Sequence, residues 1–353
     1  MAPEPAARLL DEAVAAGAFP CAVAEAGAAA GPRWQHVTGR LSWDAGAPAA
    51  QAGTVFDLAS LTKVLATTTI AMRLLEAGHL DLEDAVRTRI PAWRGEDRRA
   101  ATIADLLSHA SGLPGHRPYF RTMSGRAAFV DAICAEPLDA PPRTRAAYSD
   151  LGFILLGTLL EDAAGETLDR QFARFWSDAL PGTPAPTYGV AAAARAQVAP
   201  TERDPWRGRV LQGEVHDENA FALGGVAAHA GLFGTAASVG AFARWLLGLL
   251  RGGTAGPVGI SSATARRFAA RGTVPGSSRA LGWDTMLPTS SCGTRFSPAA
   301  IGHTGFTGTT LWLDPALDRY AVLLTNRVHP TRENDAIQTV RPAFHDAVLD
   351  QLS

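Results

Sequence analysis

The chain contains a single lysine, Lys63, which lies three residues after Ser60. The other 31 of the 32 lysine and arginine residues are all arginine. Arginine keeps its proton at any working pH, whereas a partly buried lysine can lose it. A serine hydroxyl is a weak nucleophile at neutral pH and needs a base within hydrogen-bond reach. The Ser-x-x-Lys spacing therefore predicts a nucleophile with its proton-transfer partner, the alternative being the chance survival of one lysine.

A second candidate base lies in the segment Tyr148-Ser149-Asp150, directly before an apolar run at 151–157. A phenol close to a lysine ammonium can be stabilised as phenolate and accept the serine proton. Taken alone, the same residues fit a Tyr and an Asp at the N-cap of a helix better than a catalytic base. The residues by themselves therefore leave both Lys63 and Tyr148 open as the base.

A glycine-rich segment at 302–308 is the third candidate for chemistry, and it reads Gly-His-Thr-Gly-Phe-Thr-Gly. Its glycines let the backbone approach a ligand closely, and an exposed N–H there can help to form an oxyanion hole. The alternative is a glycine-rich turn with a solvated histidine. This segment directly precedes a strand-like run at 309–313.

The apolar pattern predicts the elements that position these residues. Apolar side chains near the 3.6-residue period predict a helix over about 60–77, ended by Gly78, with Ser60 in its first turn and Lys63 over the same face. Runs at 21–27 and 33–40, separated by Gly-Pro, predict an antiparallel hairpin. Further helices are predicted over 6–16, 162–176, 238–250 and 334–349, and further strands over 309–313 and 320–325.

Helices and strands at both ends of the chain, with short helices and loops between them, predict an α/β (α+β) protein. We expect a discontinuous α/β domain made of residues 1–66 and 220–353. A mainly helical domain would span 67–219, with the active site between the two.

Composition excludes several functional classes. The net charge of −2 and the pI near 6.5 do not favour nucleic acid or an anionic membrane as a partner. No uncharged apolar run approaches the ~20 residues of a membrane span. Cys21, Cys134 and Cys292 are odd in number and far apart, which argues against a disulfide framework or a zinc site. The N-terminus resembles an amphipathic helix rather than a signal peptide, so a cytoplasmic location is expected.

Together and in this order, the three motifs resemble the serine β-lactamase and penicillin-recognising enzyme superfamily. The resemblance is to the branch that contains class C β-lactamases, DD-peptidases and related serine esterases. It implies a β-lactamase/transpeptidase-like fold, in which an antiparallel sheet is flanked by helices and a helical domain is inserted. Supporting stretches lie at 56–63, 102–114, 148–157, 211–234 and 302–330.

The resemblance also implies a role for each residue. Ser60 would become acylated, Lys63 would be its proton-transfer partner, and Tyr148 would be the general base. The backbone N–H groups of Ser60 and Phe306 would form the oxyanion hole. The remaining substrate-binding residues would be Asp150, His303, Thr304 and Gly305. Neither a metal nor a cofactor is implied.

Two positions depart from class C β-lactamases, which have Asn where this chain has Asp150 and Lys where it has His303. An ion pair with Asp150 would raise the pKa of Lys63 and make Tyr148 the better base. His303, with an ordinary pKa of ~6.5, would offer a substrate carboxylate a positive charge only on the acidic side. Both departures fit esterase-like relatives better than antibiotic-resistance enzymes.

The sequence therefore predicts a serine hydrolase that forms an acyl-enzyme on Ser60 and cleaves a small ester or amide. Alternatives are a D-amino-acid-specific peptidase or β-lactamase acting on a lactam, an acyltransferase, and a non-catalytic ligand-sensing protein with the same fold. The neighbours His216, Asp217 and Glu218 offer metal-binding atoms, but three adjacent residues cannot all face one ion on a regular element, so a loop-organising role is expected.

Overall fold

A computed structural model describes residues 4–254 and 256–352. The strands within them are β1 Cys21–Ala28, β2 Gly31–Gly39, β3 Phe56–Asp57, β4 Thr187–Tyr188, β5 Arg203–Asp204, β6 Arg209–Val210, β7 Leu232–Gly234, β8 Asp284–Thr285, β9 Ile301–Thr304, β10 Thr310–Asp314 and β11 Arg319–Thr325. The main sheet of the described residues has six strands in the order β2-β1-β11-β10-β9-β8, and each neighbouring pair is antiparallel. A smaller sheet has the order β3-β7-β4, and β5 pairs with β6.

The helices come from every part of the chain. The α-helices are α1 Pro5–Ala15, α2 Thr68–Glu76, α3 Val86–Arg89, α4 Ile103–Leu107, α5 Arg126–Ala135, α6 Asp150–Ala164, α7 Leu168–Ala179, α8 Glu218–Ala222, α9 Ala236–Leu250, α10 Ser262–Ala269 and α11 Ile337–Leu352. A π-helix spans Lys63–Thr67, and single 3₁₀ turns are found at Glu96–Arg98, Tyr119–Arg121, Ala192–Gln197 and Gly256–Val258. Among the described residues, no helix is both long and apolar enough to cross a membrane.

The central strand β1 is buried along its whole length because apolar layers cover both faces of the sheet. Successive side chains of a strand point to opposite faces. Val23 therefore packs in the core shared with α9, whereas Ala22 and Ala24 pack in the core that contains residues of α1 and α11. The predicted class, an antiparallel sheet flanked by helices, is confirmed.

Several element boundaries differ from the predictions. The helix predicted over 162–176 is two helices, because Gly165 adopts the left-handed conformation (φ 63°) that ends α6. Helix α9 begins at Ala236, two residues earlier than predicted, because Thr235 and Ser238 form a capping box. The glycine-rich segment contributes the last strand residues of β9 before it turns. The division into domains at 66 and 220 stays a prediction, as does the cytoplasmic location.

Candidate active site

The turn that carries Ser60 has an unusual backbone. Ala59 lies in the left-handed region with φ 46°, which is rare for a residue other than glycine. The buried Asp57 carboxylate supports this turn by accepting hydrogen bonds from the N–H of Ala59 (2.8 Å) and of His216 (2.7 Å). The helix begins after Ser60, so the prediction that Ser60 belongs to its first turn is off by one residue. Ser60 is half-buried at the end of a strained turn, and such strain is typical of functional sites.

Lys63 opens the π-helix Lys63–Thr67 and is fully buried. Its Nζ donates to Ser60 Oγ (2.9 Å), to Asp150 Oδ1 (2.7 Å) and to the carbonyl of His229 (2.9 Å). An ammonium has three N–H donors, so each of them has a partner. Single π-helical turns are uncommon and are frequent at functional sites.

Tyr148 lies just before α6, and its hydroxyl donates to Ser60 Oγ at 2.7 Å. Lys63 Nζ lies 4.9 Å from the centre of the Tyr148 ring. The ring also packs against His109, whose centroid is 4.7 Å away and whose Nδ1 accepts a hydrogen bond from the Ser149 N–H. Ser60 and Lys63, predicted from one motif, and Tyr148, predicted from a distant one, therefore meet at one oxygen atom.

Burial and charge set the protonation state of this group. Burial lowers the pKa of Lys63, but Asp150 and Tyr148 outweigh it and hold that pKa above its ordinary value. Burial raises the pKa of Tyr148; the Lys63 ammonium opposes this rise and Asp150 adds to it. The Lys63 ammonium lowers the pKa of the phenol, as expected, but the opposite effect of burial is larger. At neutral pH the site therefore holds an ammonium on Lys63 and a phenol on Tyr148.

The turn that follows β9 lies against the turn that carries Ser60. A methyl group on Gly305 would come within 2.8 Å of the Leu58 carbonyl and 3.2 Å of Ala59 Cβ, so only glycine permits this approach. The side chain of Thr307 donates to the carbonyl of Asp57 (2.8 Å) and ties the two turns together. Neither the N–H of Ser60 nor that of Phe306 is bonded to another described residue.

His303 is buried beside Tyr148, with a ring-to-ring distance of 5.8 Å. Burial, with the nearby Lys63 and Arg279, lowers the pKa of His303 well below its ordinary value. The imidazole is therefore neutral at physiological pH. Its Nδ1 donates to the Thr304 carbonyl (2.8 Å), which leaves Nε2 as an acceptor without a partner among the described residues. His303 cannot replace a lysine as a cation near neutral pH.

The site residues predicted from the sequence, except the buried Lys63, line one cleft of about 600 Å³. Those on its wall are Ser60, Tyr148, Asp150, His303, Thr304, Gly305 and Phe306. The Phe306 ring is 49% exposed and stacks on His216, with centroids 5.6 Å apart.

Sequence reasoning missed the arginines of this cleft, Arg279, Arg327, Arg332 and Arg341. The Arg279 guanidinium lies 5.3 Å from the centre of the Tyr148 ring and forms no ion pair with another described residue. Asp284, which pairs with Arg279 along the backbone, lies in the same cleft without bonding to it. With 31 arginines in the chain, nothing in the sequence distinguishes these from arginines on the surface.

His216, Asp217 and Glu218 point to three different partners. His216 Nε2 lies 2.9 Å from Glu202, Asp217 lies 2.8 Å from His229 Nε2, and Glu218 forms an ion pair with Arg332 at 2.7 Å. No group of three or more His, Cys, Asp or Glu side chains in the described part of the chain could hold a metal ion. These residues organise the loop beside the site.

Comparison with known proteins assigns the chain to a family. The family model described as Beta-lactamase matches residues 6–343. The chain belongs to the Beta-lactamase family. A putative D-alanyl-D-alanine carboxypeptidase of Escherichia coli K12 is 32% identical over 311 residues, which are 79% of this chain and 70% of that protein.

Two solved structures share the fold of this β-lactamase-family chain. The class C beta lactamase from Rhodobacter sphaeroides has a TM-score of 0.76 at 20% identity, with 99% of each chain covered. EstCE1, a hydrolase with promiscuous acyltransferase activity, has a TM-score of 0.74 at 19% identity, with 97% of each chain covered. The predicted resemblance and fold are confirmed, and the chain is a hydrolase of the serine β-lactamase type.

Proposed function

We propose that this protein cleaves a small ester or amide through an acyl-enzyme on Ser60. The observation that carries the proposal is the position of Ser60 Oγ, which lies within hydrogen-bond distance of both Lys63 Nζ and the Tyr148 hydroxyl. A serine in such contact with a proton-transfer group has the geometry of an activated nucleophile. The cleft around it has room for a small substrate.

In the acylation step, Ser60 Oγ bonds to the substrate carbonyl carbon, and the π electrons of the carbonyl move onto its oxygen. Because Tyr148 rests as a phenol, its own proton passes to the leaving oxygen or nitrogen of the substrate as its oxygen takes the proton of Ser60. The carbonyl then re-forms as the bond to that protonated atom breaks, and Tyr148 is again a phenol. Water repeats the sequence in reverse and frees Ser60.

Lys63 and two backbone groups would stabilise the charge that develops. The Lys63 ammonium stays protonated and lies between Ser60 and Asp150, where it stabilises negative charge on the reacting oxygens. The unbonded N–H groups of Ser60 and Phe306 would receive the oxyanion. Losing one such donor typically costs ~10²–10³ in rate.

A carboxypeptidase acting on small D-amino-acid peptides is the second candidate, and Arg279 favours it. Its guanidinium lies beside Tyr148 in the cleft without a partner carboxylate, so it could pair with a carboxylate of the substrate. The name of the Escherichia coli relative points to the same chemistry. A neutral ester would not use this interaction.

Covalent labelling tests the proposal. Wild-type protein should gain the mass of one fluorophosphonate adduct, and Ser60→Ala should gain none. Ser42→Ala, which changes a serine on a remote loop, should label like the wild type. An unchanged adduct in Ser60→Ala would refute the assignment of the nucleophile.

A substrate panel separates the candidates. Short-chain nitrophenyl esters, a chromogenic cephalosporin and a D-Ala-D-Ala peptide report esterase, β-lactamase and carboxypeptidase activity. An added alcohol or amine reveals acyl transfer by a new product. Stable labelling without turnover of any member would instead support a ligand-sensing protein.

A further inference from the structure

Arg341, on the last helix α11, contacts the turn that follows β9. Its Nη2 donates to the carbonyl of Gly305 at 2.6 Å and to that of Thr309 at 3.2 Å. Among the described residues no carboxylate forms an ion pair with this guanidinium, and its Nε atom is buried without a partner. The residue is half-buried at the wall of the cleft, and its Nε atom has no hydrogen bond that offsets its loss of water.

The carbonyl that Arg341 contacts belongs to the same peptide unit as the N–H of Phe306. A peptide bond is planar, so fixing the carbonyl of Gly305 also fixes the direction of the Phe306 N–H. Hydrogen bonds in a chain polarise one another by perhaps 10–30% per bond, and a charged donor makes stronger bonds than a neutral one. Arg341 therefore orients this N–H and makes it a better donor.

Neighbouring contacts hold this peptide and the one that follows it. The Gly308 N–H donates to the Gly305 carbonyl (3.1 Å), closing the turn. Arg327 Nε donates to the carbonyl of Phe306 (2.8 Å), and its guanidinium carbon lies 4.5 Å from the centre of the Phe306 ring. The Phe306 N–H itself remains unbonded to the described residues. The contacts thus fix the surroundings of this one donor and leave it free for a ligand.

We propose that Arg341 is a positioning residue of the oxyanion hole, which fixes and polarises the Gly305–Phe306 peptide through its carbonyl. The inference rests on the proposed function and extends it to a residue 35 positions from the donor that it serves. Burial and the nearby Arg327 lower the pKa of Arg341 to about 10, so the guanidinium stays charged at neutral pH. Arg341 should therefore stabilise the transition state, in which negative charge develops on the substrate oxygen, and leave the binding of the neutral substrate unchanged.

The test measures Arg341→Met and Arg341→Lys with a neutral nitrophenyl ester and with a phenylboronic acid, whose serine adduct mimics the anionic tetrahedral intermediate. Arg341→Met should lower kcat about 10–100-fold, somewhat less than deletion of an oxyanion donor, with KM within about twofold. Boronate affinity should fall in parallel with kcat. The kcat and boronate affinity of Arg341→Lys should lie between those of the wild type and those of Arg341→Met, because lysine keeps the charge but not the paired N–H donors.

Arg319→Met is the matched control, because Arg319 also binds a carbonyl of α11, that of Leu352 (2.9 Å), without contacting the turn. It should keep the wild-type kcat and boronate affinity. If Arg341→Met does not fold, the same comparison is made with Arg341→Lys.

Three outcomes overturn the inference. Unchanged kcat and boronate affinity in the folded Arg341 variants would exclude the positioning role. A loss confined to carboxylate-bearing substrates would mean that Arg341 binds the substrate directly. If even the wild type forms no adduct with fluorophosphonate or boronate, the proposed function fails, and this inference fails with it.

Discussion

Lys63 has a partner for each of its three protons before any substrate binds. Asp150 and the His229 carbonyl take two of them, and Ser60 Oγ takes the third. Its pKa is held above the ordinary value, so it lacks the lone pair that a base requires. At the scale of the residue, this argues that Lys63 acts as a fixed positive charge and that proton transfer runs through Tyr148.

Asp150→Asn tests how the charge at position 150 sets the pH dependence. Asp150 raises the pKa of both Lys63 and Tyr148, so removing its charge lowers both. Each group then loses its proton at lower pH, and because the proposed mechanism needs the Lys63 ammonium, the fall of kcat/KM at alkaline pH should move toward lower pH.

The measurement is the pH profile of nitrophenyl ester hydrolysis. Asp84→Asn, which removes a carboxylate paired with Arg89 on the surface, should leave the profile in place. A profile that stays fixed or moves to higher pH in Asp150→Asn would contradict the electrostatic argument.

At the scale of the elements, the site depends on the contact between two turns. One turn follows β3 and carries Ser60, and the other joins β9 to β10 and carries Phe306. Thr307 and Thr309 donate to the carbonyls of Asp57 and Leu58 and hold the turns together. The gap between them is set by packing, so a single methyl group should change the oxyanion hole.

Gly305→Ala should lower kcat/KM at least ~100-fold, the loss typical of one oxyanion donor. The added Cβ would clash with Thr309 Oγ1 and the Leu58 carbonyl, which forces the turns apart. Activity assays with circular dichroism check that the loss occurs in a folded protein.

The matched control is Gly248→Ala in α9, where a Cβ would meet no atom within 4 Å. Because alanine favours a helix over glycine by roughly 1 kcal/mol, this variant should be equally active and no less stable. Near-wild-type activity of Gly305→Ala would show that the contact between the turns does not set the site.

At the scale of the whole molecule, a buried polar network connects distant segments beside the cleft. Glu202 accepts from Arg332 Nε (2.7 Å) and lies 2.9 Å from His216 Nε2. Arg332 also reaches Glu218. The cleft thus depends on segments around residues 60, 148, 216, 303 and 332, so its stability is that of the assembled fold.

Glu202 should make the protein sensitive to acid. Its burial opposes ionisation, but hydrogen bonds from His216 and Arg332 outweigh this and lower its pKa from 4.5 to about 2. The unfolded chain then takes up the proton at a higher pH than the folded chain does. The stabilising contribution of Glu202 is present above about pH 4.5 and is lost as the pH falls toward about 2.

Urea unfolding measured from pH 7 to pH 2 checks this. Glu202→Gln should be less stable than the wild type at pH 7, and the difference should shrink on acidification. Glu96→Gln, a change at an exposed residue, should follow the wild-type curve. A constant difference at every pH would contradict the role given to ionised Glu202.

Local sequence spacing determined the type of most elements and predicted Ser60 and Lys63 as the nucleophile pair. Ser60 and Lys63 are three residues apart, and the hairpin, the helices and the last strands follow from periodicity within a short window. The family resemblance then assigned Tyr148 and the glycine-rich segment. The break at Gly165 was missed because helical spacing continues on both sides of it.

Tertiary structure alone decided the electrostatics of the site. Burial raises the pKa of Tyr148 and lowers that of His303, whereas at Lys63 two neighbours from another segment, Asp150 and Tyr148, outweigh burial and raise the pKa. Arg279 and Arg341 look like any other arginine in the sequence, because what distinguishes them is a missing counter-ion and a contact with one carbonyl. Such properties arise from long-range packing, which no local pattern of residues records.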